Sequence, residues 1–308
     1  MRITVVGGGA MGSFFAGVLA CVADVWLLSS WREHVEAIRR QGLRIVEGST
    51  EAVVSLPATT DVADVGLADL AIVLVKSHQT ERAAAKASAI LKPDGLALTL
   101  QNGLGNAEVL GRALGRERVW QGVTSHGATL LGPGRVRHAG AGPTYLALRP
   151  AIAAVAEEVA ALFERALIET HLSEDLDGLI WGKLVVNAGL NALTAILRVP
   201  NGALLRNEHA GSVMDRAVAE AAAVAKAKGI VLPYDDPIAK AREVAAATAT
   251  NRSSMLQDVL RESPTEIDFI NGAIAREAAR LGLSAPVNEL LSRLVQAVET
   301  TYAARLER

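Results

Sequence analysis

The sequence predicts an α/β N-terminal half followed by an all-α C-terminal half, and three observations carry that prediction. Short β-branched runs alternate with helical stretches through the first half. From about Ala151 the pattern changes to long, alanine-rich helical segments with few strand signals. A glycine cluster, Gly7 to Gly12, sits directly between the first run and the first helical stretch. Such alternation argues for a parallel sheet covered by helices on both faces.

The strand runs are Ile3 to Val6, Val25 to Leu28, Val53 to Leu56, Leu70 to Val75, Leu96 to Leu100 and Val119 to Val123. The run from Leu70 is apolar throughout, as a strand buried on both faces should be. Gly132-Pro133-Gly134 reads as a turn, with Arg135 to Ala139 and Thr144 to Leu148 as antiparallel edge strands. The helical segments are Ala151 to Ala166, Leu176 to Leu197, Ser212 to Lys228, Asp236 to Thr248, Thr265 to Leu281 and Asn288 to Leu306. Gly229 and Gly282 read as helix stops. The boundary falls near the strand-like Glu169 to Leu172, giving domains 1–172 and 173–308.

Composition narrows the function classes. The chain has 308 residues, 50% hydrophobic and 21% charged, enough for a full core divided into two domains. A formal net charge of -2, with Lys and Arg dispersed among acids, offers no attraction for nucleic acid or an anionic membrane. The single cysteine, Cys21, allows no intramolecular disulfide and no cysteine-rich metal site, so no metal is expected and a reducing cytoplasm fits. The apolar stretch Met11 to Ala23 follows a strand instead of a basic leader and is cut by Asp24 short of the roughly 20 residues a span needs. The later run through Lys183 is interrupted by polar groups and is no better as a span.

Gly7-Gly8-Gly9-Ala10-Met11-Gly12 is a G-x-G-x-x-G pattern between a strand and a helix, which in that context marks a Rossmann-like dinucleotide-binding domain. Gly7 permits the tight turn, Gly9 lets backbone approach a pyrophosphate, and Gly12 allows close helix packing, while the helix N-terminus offers N–H groups to the anion. The second strand ends Leu27-Leu28-Ser29-Ser30-Trp31-Arg32, with no carboxylate to hold ribose hydroxyls. Ser30 and Arg32 could instead hold a 2′-phosphate, which favours NADP and leaves NAD open. The competing reading makes Arg32 the solvated first residue of a helix. Lys76 and Asn102 stand at strand carboxyl ends, which line the ligand crevice of an open α/β sheet. Asn102 could also merely start the turn that Gly103 and Gly105 complete.

In the second half Lys183, Asn187 and Asn191 recur four apart in an apolar helical run, so an ammonium and two amides share one face. A lysine there loses hydration unless it finds a partner or its pKa falls. A site that protonates and orients an oxygen-rich substrate needs such a face. The alternative is a snorkelling lysine, with amides bonded to neighbouring helices. A further polar cluster runs Ser253 to Asp258, followed by Pro264-Thr265-Glu266-Ile267-Asp268. Thr265 could be an ordinary N-cap, with Glu266 and Asp268 complementing the helix dipole.

These segments resemble the ketopantoate reductase family, the NADPH-dependent 2-dehydropantoate 2-reductases of pantothenate synthesis. The resemblance runs essentially end to end: the glycine loop, Lys183 to Asn187, Asn191 to Ile196, Pro200-Asn201-Gly202, Ser254 to Asp258 and Thr265 to Gly272. It implies that Lys183 is the proton donor and that Asn187, Asn191, Asn201 and Ser254 bind substrate. It further implies that Asn102, Ala128 and Glu266 contact the cofactor or the reacting centre, with Glu266 orienting Lys183 and Lys76 supporting cofactor or substrate carboxylate. The implied reaction passes a hydride to C2 of a 2-oxo acid held between the two domains. One departure stands out, because the family commonly carries an arginine after the second strand where this chain has Ser30, with Arg32 two positions on. The 2-oxo acid itself is therefore open. The same scaffold could reduce another 2-oxo or imino acid, and a non-catalytic NADPH sensor is the reading from another class. The apolar helix through Leu290 to Val295 could pack on the chain itself or on a second copy as a homodimer.

Overall fold

The computed structural model describes residues 1–304, and its contacts divide the chain into two compact units. The first comprises Met1–Gln101 and Gly105–Leu176; the second comprises Asn102–Leu104 and the chain from Asp177 onward.

The first unit runs β1 (Arg2–Val6), α1 (Ala10–Ala20), β2 (Asp24–Leu28), α2 (Arg32–Gln41), β3 (Leu43–Glu47), β4 (Thr50–Val54), β5 (Ala58–Thr59), β6 (Ala68–Val73), α3 (Thr80–Ile90) and β7 (Leu91–Thr99). It continues through α4 (Asn106–Leu114), β8 (Val119–Thr124), β9 (Gly127–Gly132), β10 (Arg135–Gly140), β11 (Thr144–Ala147), α5 (Ala153–Arg165) and β12 (Thr170–Ser173). Eight strands form one sheet in the order β12-β11-β8-β7-β6-β1-β2-β5. All its pairings are parallel except β11 with β8.

Alternation along the central strands makes this sheet doubly wound. Val5 and Ile72 face a core built with Phe14, Phe15 and Leu19 of α1 and Val159, Leu162 and Phe163 of α5. Their neighbours Val6, Ala71 and Val73 face a second core with Ala83, Ala87 and Ile90 of α3 and Leu110 and Leu114 of α4. A period of two sends successive side chains to opposite faces, which is why Val5 and Val6 of β1 and residues 70–73 of β6 are apolar without a break.

Two strand expectations are corrected. The run at Val53 is not in the parallel sheet: β4 pairs antiparallel with β3 in a separate four-stranded sheet, order β4-β3-β10-β9. Val53 is 60% exposed there, and the place beside β2 goes to the two-residue β5. Nor do the strands at Arg135 and Thr144 pair with each other. The turn at Gly132 to Gly134 closes a β9–β10 hairpin in the small sheet, whereas β11 joins the large sheet against β8. Turn chemistry was legible, but which partner each strand meets depends on burial over distant sequence.

His34 of α2 is fully buried between these layers. Its Nδ1 accepts the Gly134 N–H at 2.9 Å, so Nε2 carries the proton and faces Ser13 Oγ at 2.9 Å. Burial pushes its pKa down to about 4 from the usual 6.5. The fold therefore binds fewer protons than the unfolded chain between those values. Stability is fully present above pH 6.5 and is lost as the pH falls toward 4, by on the order of 3 kcal/mol. Urea unfolding at pH 7 and pH 5 should show this loss in the wild type and a much smaller one in His34→Gln. Equal losses in both proteins would remove His34 from the account. His126, also lowered by burial and then by His138, adds a dependence of the same sign that both proteins share.

The second unit is helical: α6 (Leu176–Leu197), α7 (Glu208–Ala227), α8 (Pro237–Ala247), α9 (Ser254–Leu260), α10 (Asn271–Arg280) and α11 (Pro286–Thr300). α6 is long and apolar enough to cross a membrane by length and composition, yet 72% of its apolar window is buried. Its Leu184, Val185, Ala188, Ala192 and Ala195 form the core with Met214, Val218, Ile274 and Leu291. The helix stops hold: Ile230 and Leu283 donate back to Ala225 and Ala278, with Gly229 at φ 74 and Gly282 at φ 69. The helix expected over Thr265 to Leu281 is broken, with a 3-10 turn at Ile267–Phe269 and α10 starting only at Asn271. On α11, Leu291 and Val295 are buried while Leu290 and Leu294 are exposed. The final segment expected to reach Leu306 ends as α11 at Thr300, and Leu306 lies outside the described residues.

Candidate active site

The glycine loop is shaped as its spacing predicts. Gly7 takes φ 121 and donates to Leu28 O at 2.9 Å, turning the chain off β1. A Cβ at Gly12 would stand 1.8 Å from Gly7 O, so any larger residue forces α1 off the loop. Gly8 lies against Ser29, whereas nothing stands within 4 Å of the space a Gly9 Cβ would fill. α1 carries neither a side-chain cap nor an acid in its first turn. The N–H groups of Ala10, Met11 and Gly12 open a helix with its positive dipole end uncompensated, next to open space over Gly9. That is the shape a dinucleotide pyrophosphate requires.

At the end of β2 the structure adds a residue not anticipated from the sequence. Ser30 is exposed and accepts a hydrogen bond from Arg82 Nη2 of α3 at 3.0 Å. Arg32 is exposed at the start of α2. Nothing in the local sequence marks Arg82, which reads as a solvated residue of a helix fifty positions away. Trp31 stacks on buried His34 at 4.9 Å.

Behind the carboxyl ends of β6 and β7 lies a polar lattice that sequence reasoning also missed. Gln101 Nε2 donates to Val75 O and to Thr80 Oγ1, both at 2.9 Å. Thr80 Oγ1 lies 2.8 Å from Asn106 Oδ1, and Asn106 Nδ2 donates to Ser77 Oγ at 3.1 Å. These bonds brace the turn that carries half-buried Lys76. Ala128 is half-buried in β9, opposite His138.

Asn102 clusters with the second unit, where Leu104 N–H donates to Phe269 O at 2.9 Å. Its short segment is thereby tied to the turn that follows Glu266. The break in the Thr265 to Leu281 helix makes this possible. Thr265 Oγ1 accepts the Ile267 N–H at 3.1 Å, and Phe269 O is left outside α10 for Leu104.

α6 presents Lys183, Asn187 and Asn191 along one face. Lys183 and Asn187 are half-buried and Asn191 is buried. Burial pushes the Lys183 ammonium down to about 8, against which the Glu266 carboxylate raises it. Glu266 is itself buried, at 5% exposure. An amine with that pKa is protonated at neutral pH yet gives up its proton readily, which suits a general acid.

The remaining candidates separate into site and scaffold. Asn201 is buried, and its Nδ2 donates to Thr248 Oγ1 at 2.9 Å while its Oδ1 has no partner among the described residues. A buried acceptor left unpaired costs about 1–3 kcal/mol, so this oxygen is suited to a ligand donor. Ser254 is half-buried at the first position of α9. The capping role falls to Ser253, whose Oγ accepts the Leu256 N–H at 3.0 Å and lies 2.7 Å from Thr194 Oγ1. Asn271, in the same motif as Glu266, is scaffold: its Nδ2 donates to Ala188 O and Asn288 Oδ1, and Asn288 Nδ2 donates to Ala217 O and Glu220 Oε2. This network pins α6 to α7, α10 and α11. Among the described residues no group of three or more His, Cys, Asp or Glu side chains could hold a metal ion.

Comparison with known proteins identifies the family to which both halves of the chain belong. The family model described as ketopantoate reductase PanE/ApbA matches residues 3–150, and its C-terminal counterpart matches residues 175–299. The 2-dehydropantoate 2-reductase of Halobacterium salinarum is 40% identical over 96% of this chain and 98% of its own. That of Pyrococcus horikoshii is 39% identical over 97% and 98%. Among solved structures, a PanE/ApbA family ketopantoate reductase from Ralstonia eutropha superposes with a TM-score of 0.90 at 35% identity, covering 98% of this chain and 99% of that one. A D-mandelate dehydrogenase in complex with NADH and anilino(oxo)acetate gives 0.92 at 31% identity, with the same coverage. With both halves matched and relatives at 40% and 39% identity over nearly the whole of each chain, the chain belongs to the ketopantoate reductase PanE/ApbA family.

Proposed function

We propose that this chain is an NADPH-dependent reductase that converts a 2-oxo acid, 2-dehydropantoate, to its 2-hydroxy acid, with Lys183 as proton donor. The observation that carries the reading is a half-buried amine at about pKa 8 on α6, under the influence of the buried Glu266 carboxylate. The uncapped α1 N-terminus and the open space over Gly9 fit the pyrophosphate of a nicotinamide dinucleotide, and Lys76, Asn102 and Ala128 are the further residues assigned to hold it. When bound in reduced form, that cofactor supplies the hydride for C2 of the substrate.

The chain's own residues do the rest. Lys183 hydrogen-bonds the carbonyl oxygen, stabilises the negative charge that grows there and delivers its proton to that atom. Glu266 keeps the amine charged before the reaction and orients it. Asn187, Asn191, Asn201 and Ser254 bind the carboxylate and the distal hydroxyl, for which the unpaired Asn201 Oδ1 offers an acceptor. Ser30 and the neighbouring cations favour NADPH over NADH.

Steady-state oxidation of NADPH and NADH, run in parallel with 2-dehydropantoate, phenylglyoxylate and simple 2-oxo acids, tests the reading. The highest kcat/KM is expected for 2-dehydropantoate with NADPH. Preference for phenylglyoxylate with NADH would place the activity nearer the D-mandelate dehydrogenase that this chain resembles. Tight NADPH binding with no turnover of any 2-oxo acid would leave a dinucleotide sensor.

A further inference from the structure

We propose that Arg82, reaching from α3 to Ser30 at the end of β2, holds the adenosine 2′-phosphate of the cofactor and so sets the preference for NADP. The proposal rests on the NADP reading above and deepens it. Three observations on this chain converge on Arg82.

The first is position. Arg82 Nη2 donates to Ser30 Oγ at 3.0 Å, so the guanidinium is anchored where the second strand delivers the ribose-recognition position of a doubly wound sheet. The chain supplies no carboxylate for ribose hydroxyls over Ser29 to Arg32, and Ser30 contributes a hydroxyl that can donate to a phosphate oxygen while Arg82 holds it.

The second is uncompensated charge. Arg82 and Lys86 are four apart on α3, and among the described residues neither forms a salt bridge to a carboxylate. Like charges at this spacing on a helix repel. The pKa of the Lys86 ammonium is lowered chiefly by burial, and the charge of Arg82 lowers it further. A phosphate dianion seated on Ser30 would relieve this repulsion.

The third is orientation to the helix. Arg82 stands in the first turn of α3, where the dipole disfavours a cation. Arg82 stands there against both the dipole and Lys86, with its guanidinium turned to Ser30. It gains considerably if a dianion arrives, since a guanidinium matches phosphate in a bidentate fashion and carries its charge at every working pH.

The test is calorimetric titration of the intact protein with NADPH, NADH, 2′,5′-ADP and 5′-ADP, for wild type, Arg82→Ala and Arg32→Ala. The wild type should bind 2′,5′-ADP and NADPH at least about tenfold more tightly than 5′-ADP and NADH, as a charge-assisted phosphate contact provides. In Arg82→Ala that ratio should collapse toward one, and Arg32→Ala should reduce it much less. A merely structural role for Arg82 would weaken all four ligands together and leave the ratio intact, which would overturn the proposal. A ratio that collapses in Arg32→Ala but survives in Arg82→Ala would overturn it too, while keeping the NADP reading. A wild type that shows no preference for 2′-phosphorylated ligands would remove both.

Discussion

Lys183→Ala is expected to lower kcat by about 100-fold or more, the scale of a lost general acid. Binding of NADPH, measured by calorimetry, should change little, because the glycine loop belongs to the other unit. The sign of the pH dependence follows from the amine. Only the protonated form can donate, so kcat/KM should decline as pH rises through about 8. Glu266 raises the lysine's pKa, so Glu266→Gln should move that alkaline limb to lower pH. A lysine with a purely structural role would show neither the fall in kcat nor the displaced limb. Undiminished turnover in Lys183→Ala would end the proposed mechanism.

Gly12→Ala should be nearly as damaging, by a different route. The added Cβ would stand 1.8 Å from Gly7 O, a backbone atom that cannot swing aside. α1 must lift from the loop, at a cost on the order of 2 kcal/mol or more in urea unfolding, because overpacked sites relax by moving backbone. The displaced N–H groups should also cost dinucleotide affinity by at least about tenfold. Gly9→Ala separates the two effects. Nothing lies within 4 Å of its Cβ, so folding stability should hold while affinity for NADPH falls, the methyl group taking space the pyrophosphate needs. Normal affinity in both variants would show that the pyrophosphate does not sit on this loop.

The legibility of the site varied with how local its causes are. The glycine spacing could be read directly, because turn, open approach and close packing are all decided within six residues. The α6 face was equally legible, since a helix fixes which residues align. Arg82 was not, because its partner Ser30 is far away in sequence and no local pattern distinguishes it from any solvated arginine. The lattice of Ser77, Thr80, Gln101 and Asn106 was missed for the same reason: its bonds cross between the ends of two strands. Thr265 to Gly272 was read as one motif and one helix. The fold breaks it, sending Glu266 to influence Lys183 and Asn271 into the scaffold that holds α6.

What the sequence determined by itself is what periodicity and short-range sterics control: the central parallel strands β1, β2, β6, β7 and β8, the glycine loop, the helix stops at Gly229 and Gly282, and the polar face of α6. Tertiary structure alone decided the second sheet, since its two hairpins, β3–β4 and β9–β10, are joined by the pairing of β3 with β10 across 91 residues and their runs look like any other strand. It alone also set the Lys183 pKa, because desolvation and the field of Glu266 exist only once distant segments are packed together. Local propensity acts over a few residues, whereas burial and charge act through space, and chemistry at this site depends on the latter.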